Sequence, residues 1–186
     1  FSGDTSRFLE RIAEQQWGIM LAVYCISHVP ALLMLPIEGD ENKGLLLIAF
    51  LIATVQGSDV LQYIWGNLFG QRKVVPKVSP SKTWEGLIGG VLSAAMIGAL
   101  LYKLTPFSPF YAGIMAALSC MMGFCGGVVA AAVKRDRGVK DWGQMIEGHG
   151  GMLDRADSLI FAAPVFFHFT MYYLILTGAM PWIQWE

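Results

Sequence analysis

The chain has 186 residues, 55% of them apolar or aromatic and only 15% Asp, Glu, Lys or Arg, where an ordinary soluble domain carries about 25% charged residues. This is the composition of a membrane protein and excludes an ordinary water-soluble domain. The formal net charge of −1 decides little, because the charges fall in blocks and their positions carry the information.

Phe1 is not an initiator methionine, and residues 1–16 lack the basic start, apolar centre and small-residue cleavage site of a signal peptide. They read as a cytoplasmic-side lead-in to a membrane-embedded part at 17–186, and the whole as the C-terminal part of a longer protein. A hydrocarbon layer of about 30 Å needs about 20 apolar residues in a helix. Five such runs stand out, at residues 17–35, 44–66, 84–104, 107–133 and 159–182. An isolated strand in lipid would leave its backbone groups unpaired, and no alternating barrel segments are visible. The expected fold class is therefore all-α, a polytopic transmembrane helical bundle with about five spans.

Orientation follows from the basic residues, which accumulate in cytoplasmic loops. Arg7, Arg11, Arg72, Lys73, Lys77, Lys82, Lys134, Arg135, Arg137, Lys140 and Arg155 fall on one side of this arrangement, and only Lys43 and Lys103 on the other. The N-terminus is expected inside and the C-terminus outside. Small residues recur every four positions, as Gly86, Gly90, Ala94 and Gly98 in the third run and Gly123, Gly127 and Ala131 in the fourth. Such stripes read as close helix packing. Cys25, Cys120 and Cys125 lie inside apolar runs without ligand spacing, so neither a disulfide framework nor a zinc site is implied.

The charge that remains sits in two inward loops, 67–83 and 134–158. For the first, topology and attraction to anionic lipid are a sufficient reading. The second interleaves Lys134, Arg135, Lys140, Asp141, Gly148, His149, Gly150, Gly151, Asp154, Arg155 and Asp157, and positive-inside signalling requires no Asp. Asp154 and Asp157 are three apart, so in a helix they share a face; Asp141 could complete a set of hard oxygen ligands. Carboxylates beside Lys and Arg suit a phosphate chain carrying Mg²⁺, with the metal on the carboxylates and phosphate oxygens on the cations. Glycines let backbone N–H groups approach phosphates. Asp59 lies inside the second run, where an ionisable group costs at least about 2.5 kcal/mol at mid-membrane, and is expected to face the same site. His168, alone among aromatic residues, reads as packing. Ser79-Pro80-Ser81-Lys82 matches the S-x-x-K pattern of penicillin-binding enzymes without the partner motifs, an accidental match.

Taken together these residues resemble the phosphatidate cytidylyltransferases, or CDP-diacylglycerol synthases. The family's C-terminal motif is similar in spacing to Ala131-x-x-Lys134-Arg135, Lys140-Asp141, Ile146-Glu147-Gly148-His149-Gly150-Gly151 and Asp154-Arg155-Ala156-Asp157. Its S-P-x-K-T-x-E-G stretch resembles Ser79 through Gly86. Ala131 stands where the motif has Ser, and Glu147 where it has Pro or Gly. The resemblance implies transfer of CMP from CTP to phosphatidic acid, giving CDP-diacylglycerol and pyrophosphate. It implies Mg²⁺ on Asp141, Asp154, Asp157 and Asp59, and a catalytic group of Asp141, Asp154, His149 and Lys140. Substrate phosphates would be bound by Lys82, Lys134, Arg135, Arg155, Gly148, Gly150 and Gly151. Glu147 is expected to pair with Arg137, Lys140 or Arg155. The implied setting is a bacterial inner membrane with the site on the cytoplasmic face, membrane lipids around it, a homodimer allowed and no nucleic-acid partner. An ion-coupled transporter, or a divergent bacterial paralogue acting on another lipid phosphate, is the alternative.

Overall fold

The computed structural model describes residues 7–37, 42–143 and 151–179. Within them the chain is an all-α membrane bundle with one small hairpin. The first rod runs from Phe8 to Met34. It comprises α1 (Phe8–Ile19), a π-helical turn (Met20–Cys25), α2 (Ile26–Ala31) and a closing 3-10 turn. It begins at Phe8, ahead of the apolar run that starts at residue 17. Beyond it come α3 (Lys43–Phe69), α4 (Trp84–Leu100), α5 (Pro109–Asp136) and α6 (Met152–Leu176). The first rod, α3, α5 and α6 are long and apolar enough to cross a membrane, while α4 is a shorter apolar helix of 17 residues, about 26 Å at 1.5 Å per residue.

At the charged end of the bundle, helices extend past the apolar runs, while α4 and α6 stop at Leu100 and Leu176, short of the runs' other ends. Lys134 and Arg135 form the last turn of α5, and Asp154 lies in the first turn of α6. Cations at a C-terminus and a carboxylate at an N-terminus oppose the helix dipole, so these charges continue the helices. The loop between α5 and α6 is correspondingly shorter than 134–158.

The small-residue stripes bring α4 against both neighbours. A Cβ added to Gly86 would lie 2.7 Å from the Gln62 carbonyl of α3, and one on Gly98 would lie 2.4 Å from the Ala116 Cβ of α5. Only helices with hydrogen in those places approach so closely. Phe50, Leu51, Val55, Ala116, Ala163 and Phe166 fill the buried centre between α3, α5 and α6.

Because α4 is short, its N-terminus is recessed beside α3 and α5, and a hairpin occupies that end. β1 (Lys73–Val75) pairs antiparallel with β2 (Ser79–Thr83), Lys73 opposite Thr83 and Val75 opposite Ser79. Chain reading gave a loop here. The hairpin is pinned to α4: the Glu85 carboxylate accepts from the backbone N–H of Gln71 (3.2 Å) and Arg72 (3.2 Å), and the Trp84 N–H donates to the Arg72 carbonyl (3.0 Å). Thr83 caps α4, accepting from the Gly86 N–H at 3.1 Å.

Candidate functional site

A cavity of about 240 Å³ opens where β2 meets α3, α4, α5 and α6, and its polar lining includes Asp59, Gln62, Lys82, Asp157 and Ser158. Asp59 precedes Phe69, the last residue of α3, by ten positions (59 to 69), about 15 Å along the axis. Polar chemistry is thus recessed among helices, where protein rather than lipid surrounds it.

Lys82 is the central cation. β2 carries it into the bundle, where its Nζ donates to the Phe124 carbonyl at 3.1 Å and lies 4.4 Å from the Phe124 ring centroid. Room for it comes from Gly127, since a Cβ there would lie 2.7 Å from Nζ. Burial lowers the Lys82 ammonium pKa, and the carboxylates of Asp59 and Asp157 act against that shift. Ser158 is buried beside them, its hydroxyl donating to Asp157 at 3.4 Å and its N–H to the same carboxylate at 2.7 Å. Gln62 donates from Nε2 to Cys120 Sγ at 3.3 Å. Gly86 and Leu87, in the first turn of α4, form another wall, so the positive end of a helix dipole also faces the space.

Asp154 has different work. Its carboxylate accepts from Lys134 Nζ (2.8 Å), the Trp142 N–H (2.8 Å) and the Gly151 N–H (2.9 Å), and the ion pair is buried, with side chains 13% and 8% exposed. It ties the end of α5, the following loop and the start of α6 into one knot. Gly151 is buried there against Gly143. Arg135, Lys140, Asp141 and Arg155 are exposed around this end; Arg135 Nη1 donates to the Val139 carbonyl (3.5 Å), and the Arg155 carbonyl accepts from Gln56 Nε2 (3.1 Å). Arg137 pairs with Glu14 of α1. Glu147, Gly148, His149 and Gly150 lie outside the described residues.

The structure therefore brings Asp59, Lys82 and Asp157 together and places Asp154 with Lys134 in an adjacent knot. Among the described residues, no three His, Cys, Asp or Glu side chains converge as a metal-binding group. Two carboxylates and a hydroxyl still suit Mg²⁺, which keeps several waters and shares its shell with phosphate oxygens. Sequence reading passed over Ser158, Gln62 and the part Gly127 plays; the one signal for Gly127 was its place in the four-residue stripe. His168 packs at 5.1 Å from the ring of His28, whose Nδ1–H donates to the Tyr24 carbonyl at 2.7 Å.

Comparison with known proteins gives the chain's family. The model of the Cytidylyltransferase family matches residues 5–173. The chain is 49% identical over 174 residues to the uncharacterized protein YnbB of Escherichia coli (strain K12), covering 91% of this chain and 57% of that protein. It is 35% identical over 165 residues to the phosphatidate cytidylyltransferase of Haemophilus influenzae, covering 81% and 55%. To the protein of that name from Brucella abortus biovar 1 it is 39% identical over 135 residues, covering 72% and 50%. The chain thus spans about half the length of these relatives. With a family match over nearly its whole length and the polar cavity built from that matched region, the chain belongs to the cytidylyltransferase family.

Proposed function

We propose that this integral membrane protein transfers CMP from CTP to phosphatidic acid, giving CDP-diacylglycerol and pyrophosphate. The observation that carries the reading is the cavity that a half-buried cation, Lys82, shares with two carboxylates, Asp59 and Asp157, beside the N-terminus of α4. The names of the Haemophilus and Brucella relatives support it. In this reaction an oxygen of the lipid phosphate attacks the α-phosphorus of CTP, and the bond from that phosphorus to the bridging oxygen of the β-phosphate breaks. The electron pair leaves on pyrophosphate. The nucleophile is already ionised near neutral pH, so no strong base is needed, and the barrier lies in joining two polyanions.

Lys82 and the α4 N-terminus supply fixed positive charge where the phosphates meet, without reorganisation during the step. Asp59 and Asp157 would hold Mg²⁺, which when bound neutralises phosphate charge. Lys134 is committed to Asp154, so these two hold the site's frame. Arg135, Lys140, Arg155 and Asp141, exposed at this end of the bundle, would draw in CTP, and His149 with its neighbouring glycines would contribute donors to the phosphates. The eleven-to-two division of basic residues favours a cytoplasmic site.

Greater identity to the uncharacterized Escherichia protein than to the named relatives supports a second reading, CMP transfer to a different lipid phosphate. One experiment separates them. Purified protein with CTP labelled in its α-phosphate, Mg²⁺ and phosphatidic acid should yield a lipid-soluble CMP adduct. Adduct formation with another lipid phosphate but not with phosphatidic acid would establish the second reading; no adduct with any acceptor would reject both.

A further inference from the structure

The polar cavity is lined by two kinds of chemistry. Lys82 with the carboxylates of Asp59 and Asp157 is the charged kind. The neutral kind is Gln62 of α3, whose side chain crosses the bare surface of α4: a Cβ on Gly90 would lie 2.2 Å from its Cγ. Gly90 thus admits Gln62 as Gly127 admits Lys82. At its far end Gln62 Nε2 donates at 3.3 Å to Sγ of Cys120, a fully buried residue of α5. A carboxamide seven positions before the last residue of α3 (62 to 69) is costly to bury unless hydrogen-bonded, and sulfur is a weak acceptor. That one bond does not offset the burial. Among the described residues nothing donates to Gln62 Oε1, and the enclosed side-chain atoms without a partner are Ser119 Oγ and Thr170 Oγ1. Oε1 therefore stays open to the cavity that Gln62 lines.

We propose that Gln62 reads the ribose of the nucleotide: its Oε1 accepts from a ribose hydroxyl, and Cys120 holds the carboxamide in that orientation. The proposal rests on the CMP-transfer reading above. An acceptor facing the cavity cannot serve an ionised phosphate, whose oxygens are themselves acceptors. Phosphatidic acid brings no other donor, since its two remaining glycerol oxygens are esterified. In CTP the ribose is joined directly to the α-phosphate that the charged groups would hold. Its hydroxyls are the nearest donors, and the cytosine amine lies beyond them. Fixing one end of a planar carboxamide fixes the other, so Cys120 is a positioning residue that acts through Gln62. A fixed acceptor favours the nucleotide that fills it over one lacking that hydroxyl, because the unfilled acceptor is left without a partner.

The test measures binding apart from transfer, by calorimetry on the purified protein in detergent with Mg²⁺ and no acceptor lipid. The ligands are CTP, 2′-deoxy-CTP and 3′-deoxy-CTP. The parent should bind CTP about tenfold more tightly than one of the two deoxynucleotides, the scale of one hydrogen bond. Gln62→Met keeps the stem beside Gly90 and removes the amide, and should bring that ratio to about one. Cys120→Ala should lower the ratio as well, while Cys120→Ser, which retains an acceptor, should restore it; a packing role for Cys120 would leave the ratio unmoved. Equal binding of all three nucleotides by the parent overturns the proposal, as does a Gln62→Met ratio equal to the parent's or no CTP binding at all. A raised Mg²⁺ requirement in Gln62→Met with the ratio preserved would make Oε1 a metal ligand and likewise overturn it. A ribose preference without CMP transfer to any lipid phosphate would retain the nucleotide site and remove the proposed reaction. Transfer with equal use of the three nucleotides would do the reverse.

Discussion

Lys82 and Gly127 form a matched pair: the ammonium occupies space that any side chain on Gly127 would enter. The displaced atom would be the free end of a flexible side chain, so Gly127→Ala should leave the fold intact and gain helix propensity of about 1 kcal/mol. Its cost falls on Lys82, moved from between Asp59 and Asp157. We expect Gly127→Ala to keep its melting temperature or raise it while KM for CTP rises; unchanged kinetics would mean Lys82 does not meet the nucleotide there. Lys82→Met keeps the stem and removes the charge, and should lower kcat about 10²- to 10³-fold, the scale of a lost fixed electrostatic donor. Asp59 was legible in the chain as a lone carboxylate in an apolar run, and Lys82 as a loop cation that the resemblance assigns to the substrate phosphates. That a strand would carry Lys82 inward depends on α4 being short, which no local spacing reveals.

At the scale of elements, α6 separates two carboxylates that the sequence places on one face, Asp154 as a catalytic and metal-binding group and Asp157 as a metal ligand. Three residues turn a helix by about 300°, close enough to share a face yet far enough for different neighbours. Asp154, at the third position of the helix, reaches back to the Gly151 N–H as residues at that position commonly do. Asp157, nearly one turn on, lines the cavity. Asp154→Asn leaves the buried Lys134 without its anion and should destabilise the protein by about 3–5 kcal/mol, measured by thermal unfolding in detergent. Stability within 1 kcal/mol of the parent (about the size of a surface effect) would contradict the knot. The hairpin makes a second case. Glu85→Ala removes the acceptor for two backbone N–H groups, so amides at 71–83 should exchange faster and kcat should fall, with Glu85→Gln restoring both in part. The long helices were legible as apolar runs. Their ends and the hairpin were not, because helix dipole complementarity extends the former into charged residues and tertiary pinning creates the latter.

Across the whole molecule, the polar cavity, the Lys134–Asp154 knot and the Glu14–Arg137 pair gather towards the bundle end that carries the basic residues. Single cysteines at positions 77 and 140 in a cysteine-free background should accordingly be labelled from the cytoplasmic side, and one at position 42 from the other. Labelling of 77 and 140 from opposite faces would break the arrangement. If Asp157 helps to hold the Mg²⁺ that neutralises the phosphates beside Lys82 during CMP transfer, the most direct measurement is turnover of α-labelled CTP into lipid by Asp157→Asn beside the parent protein. The variant should fold with an unchanged melting temperature, lose turnover by at least about 10²-fold and require more Mg²⁺ for what remains. Turnover and Mg²⁺ dependence equal to those of the parent would contradict it.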